Sequence, residues 1–133
     1  MATQTVIRLN GNGPEGEGLE FWGHLESENI VAGNPVESGH NYFTDNTGQL
    51  TAGVWECTPC TLEIDSYPVD EFCCILNGTV VITDADGHAE TFKAGECFVV
   101  PKGLKCTWRM PETTRKYYVI FKDKTGAKQT AVE

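Results

Sequence analysis

The chain has 133 residues and a mass of 14.6 kDa, which leaves room for a single domain. Ten basic and nineteen acidic residues give a formal net charge of -9. A chain this acidic repels a phosphate backbone, so we expect no nucleic-acid partner. The sequence has no run of about 20 apolar residues and no basic-then-apolar leader pattern, so it predicts a cytoplasmic protein with no membrane partner.

The first segment, residues 1–28, is predicted to be a flexible acidic arm outside the folded domain. It contains GNGPEGEG, which formally matches the glycine spacing of a dinucleotide-binding loop. No strand precedes this loop, and Pro14 interrupts the helix that should follow it, so we expect no dinucleotide site.

The middle segment, residues 29–122, is predicted to be an all-β domain. Short β-branched and aromatic runs recur there between turn residues, and no segment keeps a helical apolar period. Asp86-Gly87 predicts a tight hairpin between two of the strands. Residues 123–133 are predicted to be a polar tail. The predicted strands cover residues 49–57, 61–67, 71–77, 79–83, 88–92, 97–101, 106–109 and 116–122.

The charges are unevenly distributed along the chain. Up to Phe92 there is one basic residue against fifteen acidic ones, and from Lys93 onward there are nine basic residues against four acidic ones. Either late strands pair with early ones so that opposite charges meet across a sheet, or the late cations form a basic rim that attracts an anionic small molecule. The residues of the candidate rim are Lys102, Lys105, Arg109, Arg115 and Lys116.

The six cysteines are expected to be thiols, because the sequence shows no export signal. Cys57 and Cys60, followed by Cys73 and Cys74, superficially have the spacing of a zinc site. Adjacent residues of a strand point to opposite faces, however, so we expect no structural zinc.

Two gapped motifs resemble the signature of the cupin superfamily. EFCCILNG places Glu71 seven residues before Gly78, and GECFVVPKGLKC places Gly95, Pro101, Gly103 and Cys106 at the second motif's spacing. The chain is most similar to the small single-domain cupins grouped with (S)-ureidoglycine aminohydrolase. The resemblance implies an all-β, RmlC-like jelly-roll barrel around a pocket, and we expect such barrels to pair as a homodimer through sheet edges or faces.

The resemblance also implies where a metal would bind. Cupin enzymes typically hold a divalent metal with three histidines and a glutamate. At the three histidine positions this chain has Asp65, Tyr67 and Cys106, so that only Glu71 is kept. We therefore expect no tightly bound metal and no cofactor.

Strand alternation predicts which side chains line the pocket. Glu71 and Tyr67 are candidate acid-base catalysts, although Glu71 could equally be a hydrogen-bonded core residue. The candidate ligand-binding residues are Asp65, Cys73, Cys106, Trp108 and Met110. Three functions stay open: binding of a small, anionic metabolite with or without metal-independent catalysis, metal-dependent hydrolysis of a ureido or amino acid compound, and a non-enzymatic sensor or assembly role.

Overall fold

The computed structural model describes residues 4–123 and contains eleven strands and one short 3-10 helix, Pro14–Gly16. The strands are β1 (Glu20–His24), β2 (Ile30–Ala32), β3 (Val36–Thr44), β4 (Leu50–Cys57), β5 (Cys60–Ile64), β6 (Asp70–Asn77), β7 (Thr79–Asp84), β8 (Ala89–Lys93), β9 (Cys97–Val100), β10 (Cys106–Met110) and β11 (Thr114–Phe121). The predicted all-β class is confirmed. None of the described residues belongs to a helix long and apolar enough to cross a bilayer.

The strands form two antiparallel sheets. The six-stranded sheet has the order β1-β3-β4-β11-β6-β9, and the five-stranded sheet has the order β2-β5-β10-β7-β8. Side chains alternate along β10 and β11 between buried and more exposed positions, so one face of each sheet is turned to a shared core. Trp55 and Trp108, one from each sheet, are among the largest fully buried side chains of this core. Many short strands are thereby closed around one interior, as the jelly-roll prediction requires.

The flexible arm predicted for residues 1–28 needs correction. Strand β1 pairs with β3 at the edge of the six-stranded sheet. Upstream of β1, the hydroxyls of Tyr42 and Tyr117 donate to the carbonyls of Asn10 and Leu9, and Arg115 donates to the carbonyl of Gly11. These hydrogen bonds hold the segment against the outside of the sheet. At the other end, Asp123 pairs with Lys102, while the rest of the predicted tail, residues 124–133, lies outside the described residues.

Two turns shape the ends of the central strands. Gly78 joins β6 to β7 with φ of 95°, a conformation that glycine adopts most easily. The predicted hairpin joins β7 to β8, and of the Asp86-Gly87 pair only Gly87 has positive φ. Gly87 N donates to the Asp84 carbonyl and Asp84 N donates to the His88 carbonyl, so Asp84 pairs with His88 across a three-residue loop.

The outer face of the six-stranded sheet carries exposed apolar side chains. Phe72 and Val99 lie opposite each other on β6 and β9 and are 41% and 64% exposed. Phe121 on β11 is 43% exposed on the same side. A patch of this kind suits contact with a second copy; the homodimer nevertheless stays a prediction.

Candidate functional site

The candidate site is a buried polar network centred on Glu71, in the middle of the barrel. Glu71 is 1% exposed. Its Oε1 accepts a hydrogen bond of 2.6 Å from the Tyr67 hydroxyl, and its Oε2 accepts one from the Lys116 ammonium. Both carboxylate oxygens therefore have a donor, and the carboxylate has a positive counter-charge in the low-dielectric interior.

The neighbouring strands β6 and β11 bring this pair together. Glu71 is at the start of β6, and alternation along β11 turns Lys116 to the same interior as Tyr118 and Ile120. The Lys116 Nζ lies 4.7 Å from the centre of the Trp55 ring and 5.0 Å from that of Trp108. Its ammonium is thus held between two aromatic faces, which attract cations through their quadrupoles.

Cys73, also on β6, completes the surroundings of the Lys116 ammonium. The Lys116 Nζ also donates to the Cys73 Sγ at 3.5 Å. Cys73 is fully buried and shares the inward face of β6 with Glu71. The network therefore contains a carboxylate, an ammonium, a phenol and a thiol in contact with one another.

Trp108 has a buried indole N–H donor with no acceptor among the described residues. Its ring stacks near Tyr67 with 6.4 Å between centroids and lies 6.0 Å from the Phe98 ring. Its Nε1 is buried, and no acceptor for it occurs within residues 4–123. Trp55, in contrast, donates its Nε1 hydrogen to Glu37 Oε1 at 2.7 Å. A buried N–H without an acceptor is uncommon and calls for an explanation.

Most of the predicted pocket residues face the interior. Tyr67, Glu71, Cys73 and Trp108 lie together in the network. Met110 and Cys106 are buried on β10 on the same face as Trp108. Burial raises the pKa of the Cys106 thiol, which therefore stays protonated and is a weak nucleophile.

Asp65 was predicted to face the pocket, and the structure places it outside. The prediction carried the alternation back from Glu71, but residues 65–69 form a turn between β5 and β6, and the buried positions of β5 are Cys60, Leu62 and Ile64. The Asp65 side chain is 96% exposed and pairs with Lys105 at 3.0 Å. Asp65 therefore does not line the interior.

Lys116 is a site residue that the sequence analysis did not place in the pocket. It belonged to the candidate basic rim, one of the two alternatives for the late cations, yet it is 2% exposed. The available signal was the alternation in RKYYVIF, which gives Lys116 the same orientation as Tyr118 and Ile120.

The other residues of the candidate rim are mostly paired with acids. Arg115 lies directly opposite Glu56 across β11 and β4 and binds it at 2.7 Å. Lys105 pairs with Asp65 outside the strands, and Lys102 pairs with Asp123, itself a late residue. Of these contacts, the Arg115–Glu56 pair supports the alternative in which late strands pair with early ones and opposite charges meet across a sheet.

The donor set does not fit a divalent metal. Tyr67 and Lys116 both donate to the Glu71 carboxylate, and the positive charge of Lys116 beside it would repel a cation. Asp65 points away. No cluster of three or more histidine, cysteine or acidic side chains suited to a metal occurs among the described residues.

Glu71, Tyr67 and Lys116 line none of the following three grooves, which described residues form on the surface of the barrel. One, of about 420 Å³, runs between residues 8–12 and β11. A second, of about 240 Å³, is lined by Cys106, Asp65 and Lys105. A third, of about 160 Å³, is lined partly by Phe92, Phe98 and Leu104. Because Phe98 also lies beside Trp108, it separates this third groove from the network.

The two antiparallel sheets enclose one interior, and the two gapped motifs lie in the segments that surround it. This arrangement defines a cupin. The model of the EutQ-like cupin domain family matches residues 44–118, more than half of the chain. The chain therefore belongs to the EutQ-like cupin family.

Similar proteins agree with this assignment. The acetate kinase EutQ of Clostridioides difficile (strain 630) is 28% identical over 99 residues, which cover 72% of this chain and 62% of that relative. This chain thus matches less than two thirds of that relative's length. The solved structure of the Clostridium difficile EutQ protein superimposes with a TM-score of 0.57 at 26% identity, covering 68% of this chain and 71% of that one. A protein of unknown function from Pseudomonas syringae pv. tomato has the same fold, with a TM-score of 0.75 at 23% identity over 84% of this chain and 46% of that one.

Proposed function

We propose that this chain is a cupin that binds a small carboxylate inside its barrel, next to Trp108 and Lys116, without a metal. The observation that carries the proposal is the buried Trp108 Nε1–H, which has no acceptor among residues 4–123. A carboxylate oxygen would accept that hydrogen bond and would lie close to the Lys116 ammonium, whose Nζ is 5.0 Å from the same indole ring.

The name of one relative supports the ligand class. Acetate kinase EutQ, 28% identical to this chain, is by its name an enzyme that acts on acetate, a small carboxylate. Only the chemical class of the ligand, a small carboxylate, is inferred from that name, because the matched region covers 62% of that relative.

The network also suits proton transfer. A carboxylate, a phenol and an ammonium joined by hydrogen bonds can accept and return a proton beside a bound ligand. We therefore also propose that Glu71 and Tyr67 act as acid-base catalysts.

Access to this interior requires a wall residue to move, since Tyr67, Glu71, Lys116 and Trp108 are all at most 2% exposed. Phe98 is suited to this role. It lines the groove of about 160 Å³ and also lies beside Trp108. We expect Phe98→Ala to speed ligand binding more than it changes affinity.

The binding test is a titration of the full chain with acetate and propionate, followed by tryptophan fluorescence and thermal unfolding. Chloride of equal ionic strength and neutral acetamide serve as ligand controls. We expect the carboxylates to raise the Tm, because a ligand that binds only the folded chain stabilises it. Trp108→Phe keeps an aromatic side chain but removes the N–H donor, and should weaken binding about tenfold or more, the usual effect of losing a hydrogen bond to a charged group.

Trp22→Phe is the matched control, because Trp22 is 39% exposed on the edge strand β1. Carboxylates that shift the Tm no more than chloride would overturn the proposal. Equal affinity of wild type and Trp108→Phe would also overturn it, because the carboxylate would then bind away from the Trp108 indole.

The catalytic part has a separate test. Proton NMR in D₂O would follow exchange of the methyl hydrogens of pyruvate, a small carboxylate with an acidified C–H bond. We expect wild type to accelerate the exchange and Tyr67→Phe to slow it, because the hydroxyl paired with Glu71 is lost. Exchange at the same rate with and without protein would remove the catalytic part and leave the binding part standing.

A further inference from the structure

The outer face of β6 and the edge strand β9 carries a pair of cysteines outside the barrel network. Cys74 on β6 lies directly opposite Cys97 on β9 in the antiparallel register. Cys97 is exposed and Cys74 is half-buried, so solvent reaches the pair. Their strand neighbours Cys73 and Phe98 have the opposite orientation and face the interior.

The hydrogen-bond pattern identifies the type of pair. The next pair along the ladder is joined by backbone hydrogen bonds, since Ile75 N donates to the Glu96 carbonyl at 2.9 Å. Bonded and non-bonded pairs alternate along an antiparallel ladder, so Cys74 and Cys97 form a non-hydrogen-bonded pair. In such pairs the Cα atoms are about 4.5 Å apart and the side chains are close. That spacing lies within the range of about 4.4 to 6.8 Å found in disulfides.

The neighbouring thiol changes the acidity of Cys74. Cys97, together with partial burial, raises the pKa of Cys74 to about 11. This direction agrees with the ladder, which places the two residues opposite each other.

We propose that Cys74 and Cys97 are a thiol oxidation site that forms a reversible intramolecular disulfide across β6 and β9 when the chain meets a peroxide. The Cys97 sulfur, which is the exposed one, attacks one peroxide oxygen to give a sulfenic acid, and the other oxygen leaves as water. The Cys97 thiol proton leaves with that first water. The Cys74 sulfur then displaces the sulfenic hydroxyl group, which takes the Cys74 thiol proton and leaves as a second water. Two thiols are oxidised by two electrons in total, and one hydrogen peroxide is reduced to two waters.

The bridge would fasten an edge strand to the strand that carries the barrel network. Strand β9 has one neighbour in its sheet, β6. Strand β6 presents Glu71 and Cys73 on its other face. Oxidation therefore ties β9, and the turn that follows it, to the wall of the site.

The test uses the full reduced chain and hydrogen peroxide. After treatment, remaining thiols are blocked with N-ethylmaleimide and the chain is digested with trypsin without reductant. We expect peptide 94–102 to be joined to the peptide that contains Cys74, with fragmentation placing the bond at Cys74 and not at Cys73. Dithiothreitol should release the two peptides. The oxidised chain should melt about 5 °C or more above the reduced one, because the crosslink constrains the unfolded chain.

Two variants make the result specific. Cys74→Ser should lose the linked peptides, whereas Cys106→Ser, which removes a buried thiol on the other sheet, should keep them. Fragmentation of the wild-type peptides still locates the bond if Cys74→Ser folds poorly. A link that persists in Cys74→Ser, a crosslink between two chains, or Cys97 over-oxidised while Cys74 stays alkylatable would each overturn the proposal.

Discussion

The Glu71–Lys116 pair makes a quantitative prediction for Glu71→Gln. The substitution keeps the shape of the side chain and an acceptor for Tyr67, but it removes the negative charge. The Lys116 side chain is 3% exposed, so its ammonium would be left in the interior without a counter-charge. Breaking a buried ion pair from one side typically costs about 3 to 5 kcal/mol. At roughly 4 °C per kcal/mol for a domain of this size, the Tm should fall by about 12 to 20 °C.

A double-mutant cycle separates the lost pair from other effects of the substitution. Lys116→Met alone strands the carboxylate and should also be strongly destabilising. Glu71→Gln with Lys116→Met removes both charges and keeps an unbranched chain between Trp55 and Trp108. We expect the double variant to be more stable than the sum of the single effects by about 2 kcal/mol or more.

Urea unfolding followed by circular dichroism measures each corner of this cycle. Glu63→Gln is the matched control, because Glu63 is exposed on β5 and should change the unfolding free energy by no more than about 0.5 kcal/mol. A cost of under about 1 kcal/mol for Glu71→Gln would refute the reasoning. Additive single effects would refute it as well, since they would mean that the two charges are not coupled.

Three further outcomes are expected. Gly78→Ala should lower the free energy of unfolding, measured in urea, more than Gly87→Ala does. Both glycines have positive φ, but only at Gly78 would the new Cβ collide, 2.5 Å from the Thr113 carbonyl oxygen. Equal losses of unfolding free energy would contradict the collision. Lys105→Ala should leave the Tm nearly unchanged and insensitive to salt, because its partner Asp65 is 96% exposed and such pairs contribute little; a drop of more than a few degrees would contradict this. Alkylation of Cys74 by iodoacetamide should stay slow at pH 8 and rise towards pH 11, since its pKa of about 11 keeps the thiol protonated below that range; labelling at a constant rate across this range would disprove the raised pKa.

The strands that the sequence predicted are those with strong apolar alternation. Observed strands β4 to β11 lie within two or three residues of the predicted ranges. The three strands before them were missed because their composition does not alternate: β1, at a sheet edge, is almost entirely exposed, and β3 includes polar and glycine positions. β1 and β3 pair with each other and β3 with β4, while β2 pairs with β5, so their strand character is a property of the folded sheets.

The orientation of site residues could be predicted where it depends on strand alternation, but not where it depends on a distant partner or on a turn. Period-two alternation correctly turned Glu71, Cys73, Trp108 and Met110 inward. Alternation along β11 gives Lys116 the orientation of Tyr118 and Ile120, but a cation becomes stable in a core only when a partner lies there, and that partner, Glu71, is 45 positions away along the chain. Asp65 was misdirected because the alternation was carried back from Glu71 through residues 65–69, which are not part of a strand.

The residues matched by the family model do not include all the strands of the two sheets. The family match begins at residue 44, the last residue of β3. A fragment cut there would lose β1 and β3, and β4 would become an edge whose backbone N–H and C=O groups have no neighbour on one side. The same cut would remove Glu37, the acceptor of the Trp55 indole. Shortened versions of this cupin designed from the family limits would therefore expose a strand prone to pairing between molecules, so expression studies should keep the residues from at least Arg8 onward.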